Sequence, residues 1–121
     1  MNNGQVEKVD KPWGYELRWA NTNKYVGKVI HVNAGQALSL QYHNQKDETI
    51  FLWSGRIKLE LREGNQSINR ELNPGDCVHI LPKTIHRMIA LKDSDIFEVS
   101  TPELDDVVRL EDRYGRVCSP E

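Results

Sequence analysis

Cysteine is scarce in this chain of 121 residues, with Cys77 in an apparent strand and Cys118 in the tail. Two such residues point to reduced thiols rather than to a disulfide framework. Long hydrophobic runs are missing too: no stretch approaches the roughly 20 apolar residues of a membrane span. The opening Met-Asn-Asn-Gly-Gln-Val-Glu-Lys has neither the apolar core nor the cleavage site of a signal peptide. A cytoplasmic location with no membrane partner is the expectation. Nor does charge of one sign dominate. Lys and Arg number 16, Asp and Glu 18, and the net charge is -2. With both signs mixed along the chain, no basic face is offered to phosphate backbones, and nucleic acid is not expected as a partner. Helical periodicity is almost absent, the one exception being a helical turn expected at Pro102-Glu103-Leu104-Asp105-Asp106, with Pro early and acids in the first turn. There are no internal repeats or long linkers, and the length suits one domain, 1–121, with its core over about 12–116. The polar ends, 1–10 and 117–121, are expected to fray.

What is present is frequent punctuation, as at Pro12-Trp13-Gly14, Asn33-Ala34-Gly35, Ser54-Gly55, Asn73-Pro74-Gly75 and Pro82-Lys83-Thr84. Between these marks lie short runs rich in β-branched and aromatic residues, the pattern of an all-β sandwich or barrel. Residues 57–62 alternate: Ile57, Leu59 and Leu61 share one face, Lys58, Glu60 and Arg62 the other, which predicts a half-buried strand. In residues 50–53 both parities are apolar, Ile50 and Leu52 against Phe51 and Trp53. That strand is expected to be covered on both faces or to meet a partner subunit.

One stretch, Ser39 to Gly55, carries chemistry. Side chains two apart on a strand share a face, so Gln41 and His43 project together, and Glu48 follows a polar turn, Asn44 to Asp47, as the start of a return strand. One hairpin is thus expected to present an amide, an imidazole and a carboxylate. A second stretch, Asn73 to Met88, places His86 after the turn Pro82-Lys83-Thr84, where barrel closure would bring it to the first three. Borderline and hard divalent metals accept this donor set. His31 and His79 are expected to be ordinary core or surface histidines.

Both stretches resemble the two motifs of the cupin superfamily. Gly35, five residues, Gln41, one, His43, four, Glu48, six, Gly55 matches the first motif in every spacing, with Gln41 at its first histidine. Gly75 to His86 keeps the register of the second, with Leu81 and Lys83 at its proline and glycine. A narrower resemblance, to the C-terminal cupin domain of type II mannose-6-phosphate isomerases often fused to mannose-1-phosphate guanylyltransferase, covers nearly the whole chain. It rests on residues 11–16 (KPWGYE), 38–43 (LSLQYH) with Glu48, 85–87 (IHR) and 105–116 (DDVVRLEDRYGR). The resemblance implies a single-domain, all-β cupin (jelly-roll barrel) with one divalent metal at Gln41, His43, Glu48 and His86. Zn, Mn, Fe and Ni all suit such a site. Lys46 and Thr49 stand where that family has an arginine and a second histidine, so the resemblance implies fold and metal site more directly than substrate.

The implied chemistry is aldose-ketose isomerisation of a sugar or sugar phosphate, linked to carbohydrate or polysaccharide biosynthesis, with Glu48 as proton-transfer base and Lys28, Lys83, Arg87 and Arg109 as candidate substrate clamps. A metal-dependent dioxygenase and a non-catalytic sugar- or metal-binding module are the alternatives. With no phosphate-cradling glycine loop, the chain is not expected to make a nucleotide sugar alone. Arg109 and Glu111 are expected to share a strand face, with Arg113, Tyr114 and Arg116 following a turn, the whole forming a salt-bridged strap that closes the barrel. Trp13, Trp19 and Trp53 on open strands suggest a homodimer.

Overall fold

A computed structural model describes residues 4–117. Among them are eleven strands and no helix, and so no helix long and apolar enough to cross a membrane. The strands are β1 (Glu7–Lys11), β2 (Gly14–Asn21), β3 (Val26–Val32), β4 (Leu40–Tyr42), β5 (Glu48–Ser54), β6 (Ile57–Glu63), β7 (Gln66–Leu72), β8 (Cys77–Ile80), β9 (Ile85–Ala90), β10 (Ser94–Ser100) and β11 (Val108–Glu111). They form two antiparallel sheets, β1-β2-β3-β10-β5-β8 and β11-β4-β9-β6-β7.

Alternation places the core between the sheets. Ile30, Val32, Ile50, Leu52 and Ile96 from the first sheet meet Ile57, Leu59, Leu72, Met88 and Ala90 from the second. Burying each large aliphatic chain contributes about 1.5–3 kcal/mol. At the β5–β6 turn the two sheets connect through Gly55 (φ 95°), where a Cβ would lie 2.3 Å from Ser94 Oγ, so only glycine fits.

Four expectations are corrected. Residues 39–55 are not a hairpin: β4 belongs to the five-stranded sheet and β5 to the six-stranded one, so residues 43–47 turn a corner between sheets. The segment from Cys77 to Ala90 makes the reverse crossing, from β8 to β9. Residues 7–10 do not fray. They pair with β2 in the register Glu7↔Arg18 to Asp10↔Tyr15, because a backbone ladder needs no apolar side chains and the buried Trp13 anchors the turn. Residues 102–107 form successive tight turns rather than a helical turn, closed by Leu104 N–H to Pro102 O (2.8 Å) and Val107 N–H to Asp105 O (3.0 Å). Finally, within this chain β5 is covered on one face only, so of the two alternatives only cover on both faces is overturned. Phe51, Trp53 and Phe97 stack on the outer face of the sheet, with Trp53 61% exposed. Cys118 and the end 118–121 lie outside the described residues.

Candidate metal centre and its pocket

The two inter-sheet corners lie against each other and assemble the polar cluster. In the first, the Asp106 carboxylate accepts the backbone N–H groups of Asn44 (3.1 Å), Gln45 (2.6 Å) and Lys46 (3.0 Å), which fixes the path of residues 44–46. Burial works to raise the Asp106 carboxyl, but the three backbone bonds together hold it below the usual range. The Asp106 carbonyl accepts His43 Nδ1–H. In the second corner Thr84 O accepts His86 Nδ1–H at 2.8 Å, and Lys83 N–H donates to His43 O at 2.6 Å, tying the corners together.

Both imidazoles therefore carry their proton on Nδ1 and present the Nε2 lone pair inward. His43 Nε2 lies 3.3 Å and His86 Nε2 3.2 Å from the same atom, Glu48 Oε1. The donor atoms of the three residues all lie within 4.8 Å of one another, and all three side chains are buried. His43 Nε2 is enclosed without a hydrogen-bond partner. Neutral imidazoles and a carboxylate here are acceptors facing acceptors, an arrangement that costs free energy until a positive charge sits between them. Two tautomer-fixed imidazoles and one carboxylate fit a divalent ion in both donor type and outer-sphere support. Gln41 sits directly opposite His86 in the β4–β9 ladder and lines the same cavity, its Oε1 accepting Ser39 Oγ–H at 3.3 Å.

Beyond Glu48 runs a line of alternating buried charges. Lys46 Nζ lies 3.3 Å from Glu48 Oε2 and 3.0 Å from Glu98 Oε2, Lys28 Nζ lies 3.6 Å from Glu98 Oε2 and 3.3 Å from Glu16 Oε2, and Arg18 Nε lies 3.2 Å from Glu16 Oε1. Burial works to raise the Glu48 carboxyl, but the neighbouring His43 and His86 side chains and the Lys46 charge hold it well below the usual range. Glu98 is pushed up to about 7, first by burial and then by the Glu48 charge, over the opposing pull of Lys28 and Lys46. Burial opposes the Lys46 ammonium, yet Glu98 and Glu48 outweigh it and raise its pKa.

Of the clamp candidates, Lys28 lines the cavity but is held by two carboxylates, and Arg109 lines it as well. Lys83 and Arg87 are not brought to it. Lys83 is exposed in the turn after β8, with φ 69°. Arg87 has the opposite parity to His86 and makes a paired hydrogen bond outside, Nε and Nη2 to Glu60 Oε2 at 3.1 and 2.9 Å. Arg109 and Glu111 do not share a face either. A register shift between them leaves Arg109 lining the cavity while Glu111 pairs with Arg62 (3.7 Å) and Arg87 (3.9 Å). The strap does close over the barrel through Arg113 Nη1–H to Gly35 O and Tyr114 O–H to Gln36 Oε1. His31 and His79 lie elsewhere, on Asp95 (2.7 Å) and Asp47 (2.6 Å).

Sequence reasoning missed Glu98, Glu16, Lys11 and the positioning role of Asp106, and treated Lys46 only as a departure. Parity held a signal: Glu98 falls between Ile96 and Ser100, and Lys28 between Val26 and Ile30, each a charge at a core position.

The cluster sits in a cavity of about 480 Å³. The pattern of the mannose-6-phosphate isomerase C-terminal family matches residues 2–112. The chain belongs to this family. Mannose-1-phosphate guanylyltransferase ManC of Salmonella typhimurium is 31% identical over 116 residues, and the mannose-1-phosphate guanylyltransferase of Escherichia coli is equally similar. Both alignments take in 91% of this chain and 23% of the relative, so the family member described here spans under a quarter of those proteins. Its fold is the cupin fold. KdgF from Halomonas sp. superposes with a TM-score of 0.69 at 24% identity, covering 85% of this chain and 92% of that one. The capsular polysaccharide assembling protein CapF from Staphylococcus aureus gives 0.73 at 18%, covering 91% and 35%. Oxalate decarboxylase from Bacillus subtilis, an enzyme with Mn(II) centres, gives 0.74 at 12%, covering 87% and 30%.

Proposed function

We propose that this chain is a metal-dependent aldose-ketose isomerase acting on a sugar or sugar phosphate, with Gln41, His43, Glu48 and His86 holding one divalent ion. The observation that carries the reading is the convergence of two Nδ1-protonated histidines on one buried carboxylate oxygen, in a chain whose family is described as mannose-6-phosphate isomerase C-terminal. When bound, such an ion supplies Lewis acidity to the oxygens on the first two sugar carbons. The reaction then needs no oxidant: a base takes the C2 proton, the C–H pair forms the C1=C2 bond while the C1 carbonyl pair moves to O1, and protonation at C1 with loss of the O2 proton gives the ketose. Glu48 is assigned to ligation rather than to the base role expected of it, because Oε1 faces both histidines and Oε2 is engaged by Lys46.

The test has two parts. Elemental analysis after reconstitution with zinc, manganese, iron or nickel should find one ion per chain. With mannose 6-phosphate or mannose in D2O, ketose should form with deuterium carried into the sugar. A reconstituted chain with no metal, or with metal and no ketose, overturns the isomerase. The second of those results is the signature of a binding module, a reading favoured by the guanylyltransferase names of the longer relatives.

A further inference from the structure

Lys46 joins the ligand cluster to the line of charges behind it. Its backbone N–H is held by the Asp106 carboxylate at 3.0 Å, on the corner between the sheets, and its side chain is buried. From there Nζ reaches Glu48 Oε2 at 3.3 Å and Glu98 Oε2 at 3.0 Å. Glu98 already has a cation of its own: Lys28 stands directly opposite it in the β3–β10 ladder, with Nζ at 3.6 Å. Neutralising Glu98 is therefore not the whole task of Lys46.

Strand register shows what else a cation does at this point. Ser100 is opposite Glu48 and Glu98 is opposite Ile50, so the two glutamates are diagonal neighbours on the inner face of one sheet, and both line the cavity. Two buried carboxylates so placed repel each other. Without an ammonium between them, Glu48 would swing Oε2 away from Glu98 and toward the histidines that Oε1 already faces, His43 Nε2 at 3.3 Å and His86 Nε2 at 3.2 Å.

A carboxylate ligates a divalent ion through one oxygen or through two. We infer that Lys46 is a positioning residue that reserves Oε2 of Glu48, so that this carboxylate offers the ion a single oxygen and the cavity stays open to a ligand carrying two adjacent oxygens. Gln41, His43, Glu48 and His86 then give one donor atom each. A six-coordinate ion keeps two places for the incoming ligand, and a two-oxygen grip by Glu48 would take one of them. The ligand class is a chelator with neighbouring oxygens, such as a hydroxy carbonyl compound or a hydroxamate. The role of Lys46 rests on the metal reading of His43, Glu48 and His86 and not on the isomerase.

The experiment is calorimetric titration of the nickel-loaded full chain with acetohydroxamate, which has two adjacent donor oxygens, and with azide, which fills one position. Wild type should prefer acetohydroxamate by about tenfold or more, since a second contact to the same ion is intramolecular. Lys46→Met should shrink that preference to below about threefold while elemental analysis still finds one nickel per chain, because Glu48 then supplies its second oxygen. Lys46→Arg should keep the preference. Glu98→Gln should keep it too, since Lys46 is then left to Glu48 alone, whereas a merely structural line of charge would lose it in both the Lys46→Met and Glu98→Gln variants. Equal binding of the two probes by wild type, a preference unchanged in Lys46→Met, a preference lost in Glu98→Gln, or loss of nickel from Lys46→Met overturns the role. No nickel in wild type overturns the ligand assignment and the role with it. The expected pattern without ketose formation keeps the role and removes the isomerase; ketose formation with the preference unchanged in Lys46→Met does the reverse.

Discussion

Replacing Lys46 by methionine deletes the cation shared by Glu48 and Glu98 while keeping most of the side-chain volume. The ammonium stands 3.3 Å from one carboxylate and 3.0 Å from the other, and the side chain is 5% exposed, so solvent cannot take its place. Deleting one partner of a buried pair costs about 3–5 kcal/mol, since the charge left behind has lost its compensation. Two features put the expected loss at the lower end. Lys28 remains 3.6 Å from Glu98. Glu98, already raised to about 7, takes up a proton once Lys46 is gone and sheds its charge. About 3 kcal/mol corresponds to a fall in Tm on the order of 12 °C for a chain of this length. The assay is urea unfolding at neutral pH with chelator present, so that no ion bound at Glu48 contributes. Lys46→Met/Glu98→Gln should lose at least about 1 kcal/mol less than the sum of the single variants, because the two side chains are in contact. A single variant within about 0.5 kcal/mol of wild type, or an additive double variant, would refute the argument that this charge line is buried and coupled.

Other consequences follow from the same geometry. His43→Ala and His86→Ala should each abolish stoichiometric metal by elemental analysis while the β circular dichroism spectrum persists, since the apolar core lies between the sheets; full occupancy in both would remove the ligand assignment. Asp112 is held below the usual carboxylate range first by its hydrogen bond from Arg116. Its stabilisation is therefore complete above the unfolded value of about 3.9 and is lost as pH falls through the lower folded value. Asp112→Asn should cost about 1 kcal/mol at pH 7 and nothing once pH is below both values, so an equal cost at both pH values in urea melts contradicts the latch. Lys83 occupies a left-handed backbone position, which disfavours a side chain by about 1 kcal/mol. Lys83→Gly should raise stability by about 0.5 kcal/mol after glycine's extra unfolded-state entropy, with metal content unchanged. A lower Tm would show that the Lys83 side chain contributes something the turn alone does not explain.

The legible part of the fold was local. Alternation at Ile57, Leu59 and Leu61 and the punctuation around Gly55 and Gly75 are properties of a few neighbouring residues, and both describe the strands as they stand. The spacing of the polar cluster was legible as well: Gln41 and His43 share parity, and Glu48 follows at the distance a corner needs. What misled was the assumption that residues close in sequence pair with each other. A polar turn between two apolar runs looks the same whether the chain folds back on itself or crosses to another sheet. The shared face of Arg109 and Glu111 failed for a similar reason, because a register shift near Leu110 reverses parity and no residue there announces it.

The amino-acid sequence by itself determined that this is an all-β chain of the cupin kind, with two histidines, a glutamate and a glutamine at motif spacing. Tertiary structure decided which side chains meet. It stacked the two inter-sheet corners so that His43 and His86 aim at one oxygen of Glu48, sent Arg87 and Lys83 away from the cavity, and converted Lys46, Glu98, Lys28 and Glu16 into one buried line of charge. The physical reason is range. Side-chain parity and turn chemistry act over a few residues, whereas the choice of strand partner is made by burial and hydrogen bonding between segments far apart in the chain.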